Sequence, residues 1–448
     1  MIDSNKTLCL IQGPASSRSG YGDRIRDVIR SLVKLKGDEW DIRIFDLPWG
    51  ACPKNALNER DPNDALIISR LLVGNALPKQ PDVFIQVSVP NEFQPVGKFN
   101  IGMTAGIETT ICDPAWIEGC NRMNLILTSS HHSKKVFENS VYDKMDENAK
   151  QKVGELRLEK PIDVLFEGID LNIFKKIERF PKTFVEEMHL VKENFCFLFV
   201  GHWLQGHFGH DRKDVGTLIK VFCETFKGHR KQPALILKSS GAGFSIMDRD
   251  DMLNKIRSIS QADPSYPNVY LLHGDLTPEE MNALYNHPKV KAHVSFTKGE
   301  GYGRPLAEAA ISGKPVITTN WSGHTDFLHP DYSILLPGQL MPVHKSAIMK
   351  GLVNEGSRWF YVNPDYAGKV LKDVYKNYKK YKERCRKLSH HIKSNFSLEK
   401  MAELLNTYIK EKVNTGPERV ALNLPKLKKV DNGVSEVPKI KLPKLNKV

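Results

Sequence analysis

No apolar run in this 448-residue sequence approaches the ~18–20 residues a membrane-spanning helix needs. Met1–Leu8 carries Asp3 and Lys6 and lacks the apolar core of a secretory leader, so no leader is expected. Cysteine is sparse: Cys9, Cys52, Cys112, Cys120, Cys196, Cys223 and Cys385 never form a C-x-x-C pair. Seven scattered cysteines argue against a disulfide framework and a structural zinc site. The expected setting is therefore a reducing cytosol, with peripheral contact at a membrane surface left open. Acidic residues are the remaining shortage, 52 against 65 Lys and Arg, a formal charge of +13. That excess points to anionic partners: phosphorylated small molecules, nucleic acid or acidic membrane. It does not choose among them. At 40% hydrophobic and 26% charged, the chain otherwise has globular composition and length for two large lobes and a tail.

Apolar runs supply the organisation. Lys6–Gln12 ends at Gly13 and precedes a Gly/Ser-rich loop, after which Asp23 can cap a helix. Ile25, Val28, Ile29, Leu32 and Val33 recur there at helical spacing. Strand, glycine loop and helix open a doubly wound α/β domain. Strand-like runs follow at Asp41–Phe45, Asp82–Val87, Phe99–Met103 and Leu125–Thr128, spaced for parallel crossovers. After a linker at Phe180–Glu193 the alternation restarts. Strands are expected at Phe195–Val200, Ala234–Leu237, Val269–Leu272, Ala292–Phe296 and Pro315–Thr319. Thr277-Pro-Glu-Glu280 has the spacing of a capping box.

Four units are therefore expected: an N-terminal Rossmann-like lobe at 1–185, a C-terminal Rossmann-like lobe at 186–385, a helical segment at 386–412 with the apolar face Leu398–Ile409, and a basic tail at 413–448. The tail repeats Leu424-Pro-Lys-Leu427, Val437-Pro-Lys-Ile440 and Leu442-Pro-Lys-Leu445, and its prolines forbid regular structure. From Leu424 to Val448 it carries a net +5, leaving about +8 elsewhere. It reads as a docking motif, an electrostatic tether or a solubilising extension.

The densest chemical signal is Lys298-Gly-Glu-Gly-Tyr-Gly-Arg-Pro-Leu-Ala-Glu308. A strand ends near Thr297 and a helix starts near Pro305, so free amides and the helix dipole can receive phosphate. Gly301 and Gly303 allow close approach by a ligand, with Tyr302 between them. Glu300 and Glu308 suit sugar hydroxyls rather than phosphate. The plainer alternative is a common Gly-x-Gly turn with an acid in the first helical turn.

Glu-x7-Glu in this strand–loop–helix, followed by Gly313-Lys-Pro-Val-Ile317, resembles the signature of retaining GT-B glycosyltransferases of the family 4 (group 1) type. The resemblance extends to Val164–Phe174, the Arg212-Lys213 segment and Asn268–Leu276, and covers most of the chain to about Tyr408. It implies two Rossmann-like lobes facing a cleft, 1–185 as the acceptor lobe and 186–385 as the donor lobe of a nucleotide-diphospho-sugar, with the helical segment 386–412 packing back on the N-terminal lobe. The family's first glutamate, here Glu300, contacts the donor sugar. Its second, here Glu308, contacts the nucleotide ribose. Arg212 and Lys213 correspond to a basic pair that neutralises the diphosphate, where fixed cations stabilise charge developing on the leaving group. The family's arginine usually follows the strand's terminal glycine, whereas Gly201 here is followed by His202. A solvated basic loop is the alternative reading of the pair.

Lys238 closes a strand and either faces the cleft or is solvated. Gly20 and Gly22 are in the place of a family glycine loop beside the donor phosphates, or form a tight turn before the first helix. Glu108, after a predicted strand, should face the cleft on the acceptor side. Many family members carry a sugar-contacting histidine near there, and none here matches it. Trp321 and His324 follow a strand of the second half and are further acceptor-side candidates; Trp321 would stack on a ligand or pack between lobes. His202, His207 and His210 with Asp211 have only loose metal-ligand spacing, and members of the fold generally work without a bound metal, so no metal or other cofactor is expected.

The expected activity is retaining hexosyl or pentosyl transfer from a nucleotide sugar to an acceptor hydroxyl. A glycan or lipid-linked acceptor is favoured over a hydroxymethylated base in DNA. A catalytically silent GT-B scaffold is the non-enzymatic alternative.

Overall fold

The structure, a computed structural model, describes residues 6–413 except 51, 75–76, 78, 147–150, 205, 242 and 244. The repeated Pro-Lys tail lies outside the described residues.

Strand β1 (Thr7–Gly13) is flanked on both sides, by β2 (Trp40–Asp46) and β3 (Val83–Val87), which is why its residues are apolar without alternation. Helix α1 (Gly20–Lys36) links β1 to β2, and α2 (Pro62–Ile68) follows β2. Ser19, rather than the expected Asp23, caps α1 by accepting from the Gly22 amide. Next come β4 (Phe99–Thr104), α3 (Pro114–Asn121), β5 (Leu125–Thr128) and α4 (His131–Asn139). An antiparallel hairpin of β6 (Tyr142–Asp146) and β7 (Gln151–Leu156) precedes β8 (Ile162–Val164). The first sheet is wholly parallel, in the order β2-β1-β3-β4-β5-β8.

The second lobe begins earlier than expected. Ile169 pairs with Phe396 and Leu398 at the crossover, and Phe174, Phe184 and Met188 already belong to the second core. The presumed linker contains a helix, α5 (Lys182–His189). Then follow β9 (Cys196–Val200), α6 (Val215–Phe226), β10 (Ala234–Lys238), α7 (Ile246–Ser260), β11 (Val269–Leu272) and α8 (Pro278–Asn286). The Thr277/Glu280 capping box at α8 forms as its spacing predicts. β12 (Val290–Ser295), α9 (Arg304–Ile311), β13 (Val316–Thr319) and β14 (Ile334–Leu336) complete a second parallel sheet. Its order, β11-β10-β9-β12-β13-β14, is that of a dinucleotide-binding domain, with the switch point between β9 and β12. A hairpin of β15 (Gly338–Pro342) and β16 (Arg358–Val362) follows.

Three helices end the described chain: α10 (Pro364–Lys376), α11 (Tyr378–Asn395) and α12 (Leu398–Lys412). The expected boundary at 385/386 falls inside α11, whose Leu388 and Ile392 are part of the second lobe's core. The crossing comes only after Phe396. α12 then buries Met401, Leu405 and Ile409 against Ile25, Ile29 and Leu32 of the first lobe's core. Two doubly wound lobes joined by a returning helix is the architecture.

Candidate functional site

Ligands of open α/β sheets bind beyond the strand ends at the switch point. Here the loops after β9 and β12 meet there, and the first brings Arg212 and Lys213 to the second's Glu300. Lys213 Nζ donates to Glu300 Oε1, and an Arg212 Nη lies 3.2 Å from Oε2. The same nitrogen donates to the Gly299 carbonyl at 2.9 Å. Arg212 Nε lies 3.0 Å from Glu108 Oε2, after β4 of the opposite lobe. Three sequence-predicted groups and one acceptor-side candidate thus form a single ionic cluster across the cleft.

Burial alone would raise Glu300, but Lys213 and Arg212 outweigh it and hold the carboxyl down to about 2. Burial holds Lys213 below the usual lysine range. Glu108 is pushed up by its crowded position, against the pull of Arg212. Its side chain is still 38% exposed, so this carboxylate lines the opening while Glu300, at 8%, lies beneath it.

The basic loop is pinned from behind by Lys298, whose side chain is fully buried. Its Nζ donates to the carbonyls of Gly209 (2.7 Å) and Asp211 (2.8 Å) and lies 3.4 Å from Asp214 Oδ1. Its backbone amide donates to the Arg212 carbonyl at 2.8 Å. The ammonium also sits 4.5 Å from the centre of the Tyr361 ring. Asp214, at φ 51°, occupies the left-handed region that aspartate tolerates better than most residues. Lys298 lies inside the glycine-rich motif, yet its spacing carries no sign of this task, because burial of a lysine is not visible in sequence.

A second ionic group surrounds Glu308. Tyr285 Oη donates to Glu308 Oε2 at 3.1 Å, and Arg304 Nε reaches Oε1 at 3.0 Å. Arg304 also contacts Asp27 of α1 at 2.8 Å, across the cleft. Burial raises Glu308 to about 7 despite Arg304. Asp27, Tyr285 and Arg304 were not anticipated. Arg304 lies inside the motif, but its partner on the other lobe carries no sequence signal.

The glycines fix how closely the lobes approach. A Cβ on Gly301 would stand 2.2 Å from the Ala105 carbonyl oxygen, and one on Gly299 would stand 2.0 Å from that of Glu108. Gly303, at φ 98°, starts α9 in a conformation that glycine alone adopts freely. Between Gly301 and Gly303, Tyr302 is buried against Phe327, its ring centre 4.8 Å away.

Other predicted residues lie elsewhere. Lys238 ends β10 and donates to the Gly274 carbonyl at 2.7 Å, within its own lobe. Gly20 opens α1 at an exposed position, while a Cβ on Gly22 would collide with the Ser17 carbonyl at 2.0 Å. Gly22 is thus needed for the turn. Trp321 packs between His132 of the first lobe (ring centres 4.7 Å apart) and Phe360 of the second (6.3 Å). His324 is fully buried and bonded to the Thr319 carbonyl at 2.7 Å, beneath the glycine loop rather than on the cleft surface. His210 stacks on His344 at 4.0 Å, and among the described residues no group of three His, Cys, Asp or Glu could hold a metal ion. No helix among the described residues is long and apolar enough to cross a membrane.

No protein-family model matches the chain, and no curated protein matches it in sequence. Solved structures do match its fold. Sucrose-phosphate synthase from Thermosynechococcus elongatus superposes with a TM-score of 0.60 at 11% identity, over 90% of this chain and 98% of that one. HepE of Anabaena, solved in complex with UDP and glucose, gives 0.58 at 12% identity, over 90% and 99%. A glycosyltransferase from Rickettsia africae gives 0.57 at 14%, over 91% and 98%. The shared architecture is GT-B: two Rossmann-like lobes around a cleft.

Proposed function

We propose that this chain is a retaining glycosyltransferase of the family 4 type, using a nucleoside-diphosphate sugar. The observation that carries this reading is the Arg212–Lys213–Glu300 cluster at the switch point of the second sheet. Cations there suit a diphosphate, and the carboxylate that neutralises them in its absence suits a sugar hydroxyl once they are engaged. Glu308, one turn into α9, is the proposed acceptor for the ribose hydroxyls. Uridine is the first base to test, since HepE, a structure of like fold, was solved with UDP.

In the proposed reaction the bond from the anomeric carbon to the diphosphate oxygen breaks as the acceptor oxygen bonds the same face. The acceptor proton passes to the departing phosphate oxygen. Arg212 and Lys213 stabilise the negative charge gained by the leaving group. Close lobe contact excludes water, which would otherwise take the sugar. Glu108 lies on the acceptor side of this arrangement, and Gly20, Gly22 and Lys238 are donor-side residues of the second rank. The reaction is proposed to need no metal and to take place in the cytosol. A glycan or lipid-linked hydroxyl is the favoured acceptor, ahead of a hydroxymethylated DNA base.

A thermal-shift screen over UDP, GDP and ADP, followed by turnover assays with the matching sugars in EDTA, tests this reading. One nucleotide should stabilise the protein, and the Glu300→Ala variant should lose turnover of its sugar. If no nucleotide sugar is bound or consumed, the enzymatic reading fails and a silent scaffold takes its place.

A further inference from the structure

The positive charge of the chain is concentrated rather than spread. Helix α11 carries seven Lys and Arg against Glu383 alone, a net +6 of the total +13. One of these cations is structural: Arg384 donates to the backbone carbonyls of Asp331 (2.6 Å) and Ser333 (2.8 Å). Lys379, Lys380, Lys382, Arg386 and Lys387 are exposed. Among the described residues none of these five forms a close ion pair, although Lys380 is near enough to Asp373 to help lower its carboxyl. Lys379 and Lys382, and again Lys382 and Arg386, stand at the spacings where like charges destabilise a helix.

The helix itself is held firmly. Cys385, Leu388 and Ile392 are fully buried, and Ser389 Oγ donates to the Ile311 carbonyl of α9 at 2.8 Å. The field extends past the helix, since Lys382 helps burial to hold Lys291, in β12, below its usual range. At the other end of α11 a groove of about 490 Å³ opens between Tyr332 and the helix, where His390 and His391 adjoin Arg386 and Lys387. Tyr332 already stacks on His329 at 4.9 Å, so the exposed His390 is the ring open to a base beside these cations. Stacking for bases and positive charge for phosphates are the two components of sequence-tolerant single-strand binding. A membrane-binding helix would present apolar anchors, and no exposed large apolar side chain lies on α11.

We propose that the outer face of α11, with the Tyr332 groove, is a docking surface for single-stranded nucleic acid, separate from the cleft. It does not depend on the glycosyltransferase reading. At 18 residues, α11 is about 27 Å long, enough to follow several phosphates of one strand.

The test is fluorescence anisotropy of a labelled 20-nucleotide oligothymidylate with the full-length chain across a salt series. One variant carries Lys379→Gln, Lys380→Gln, Lys382→Gln, Arg386→Gln and Lys387→Gln, a second His390→Ala with Tyr332→Leu, and a third replaces the tail lysines by Gln. The first should bind at least 100-fold more weakly at low salt, with the slope of log K against log salt reduced by about 3. The second should bind about tenfold more weakly at an unchanged slope. Unchanged melting temperatures show that each variant is folded. The proposal is overturned if wild type does not bind the oligonucleotide, or if only the tail variant loses binding. It is overturned equally if phosphatidylglycerol vesicles, and not the oligonucleotide, are bound through these five cations.

Discussion

Arg212 joins the two lobes by holding Glu108 of the first at 3.0 Å and Glu300 of the second at 3.2 Å. With Lys213 the group is two cations and two carboxylates, neutral without any ligand. A diphosphate that enters must draw the cations away from carboxylates already bonded to them. Part of its attraction is therefore offset, and in the proposed reaction the carboxylates are released to face the sugar and the acceptor.

Replacing Glu300 with Gln should separate binding from turnover. Removing one partner of a buried ion pair typically costs about 3–5 kcal/mol, so the ligand-free variant should melt well below wild type. A nucleoside diphosphate replaces the lost negative charge, so its stabilising shift should be larger than in wild type. Turnover should fall by about 10²–10³-fold if Glu300 stabilises the transition state. Thermal shifts with and without UDP, alongside initial rates, check all three. A smaller ligand shift than in wild type would refute the competition between Glu300 and the diphosphate.

Glu308 and Glu300 predict opposite pH dependences. Glu308 is raised to about 7 when folded, so its contribution to stability is complete below about 4.5 and is lost as pH rises through 7. Glu300 is lowered to about 2, so its contribution is present above about 4.5 and is lost as pH falls through 2. Each amounts to about 3 kcal/mol at most, from ~1.4 kcal/mol per pH unit. Melting temperature measured from pH 4.5 to 8 should decline less steeply in Glu308→Gln than in wild type. Donor affinity should move the other way, improving toward pH 8 as Glu308 becomes an acceptor for hydroxyls.

Local patterns made much of this legible beforehand. The apolar face of Leu398–Ile409 announced α12, Pro305 announced the start of α9, and Thr277 with Glu280 announced α8. Glu300 is legible as a loop residue between a strand end near Thr297 and a helix start near Pro305, because glycines flank it. Pairings between distant segments were not legible. Nothing around Asp27 marks it as the partner of Arg304, and His324 looks like a loop residue until the glycine loop is seen to cover it. Where the chain passes between lobes is equally silent in sequence, since α11 and α12 are both amphipathic and only α12, after Phe396, packs on the first lobe.

Lys298→Met should loosen the basic loop without opening the core. Methionine fills much of the lysine volume but leaves the carbonyls of Gly209 and Asp211 without their donor. Buried acceptors left unpaired cost about 1–3 kcal/mol each, enough to let the loop open. Hydrogen exchange at residues 209–214 should accelerate in the ligand-free protein. UDP affinity should drop about tenfold, while uridine, which has no phosphate, should bind as in wild type. Equal losses for UDP and uridine would mean that Lys298 supports the whole lobe rather than the phosphate loop.

Gly301→Ala tests whether lobe contact itself matters. The added methyl would meet the Ala105 carbonyl oxygen at 2.2 Å, a backbone atom that cannot rotate aside. Neither lobe's core includes Gly301, so each should stay folded, and the cheapest relief is a wider cleft. Widening would break Arg212–Glu108, Arg304–Asp27 and the Ser129 hydroxyl bond to the Gly301 carbonyl together. Small-angle scattering should report a larger radius of gyration than wild type, with a near-native melting temperature. Because misplacement of reacting groups by about 1 Å can cost 10²-fold, turnover should fall at least that far. Diphosphate binding, proposed to rest mainly on Arg212 and Lys213 of the second lobe, should be weakened far less than turnover. If the variant scatters and turns over like wild type, the contact between Gly301 and Ala105 is not what holds the cleft closed during reaction.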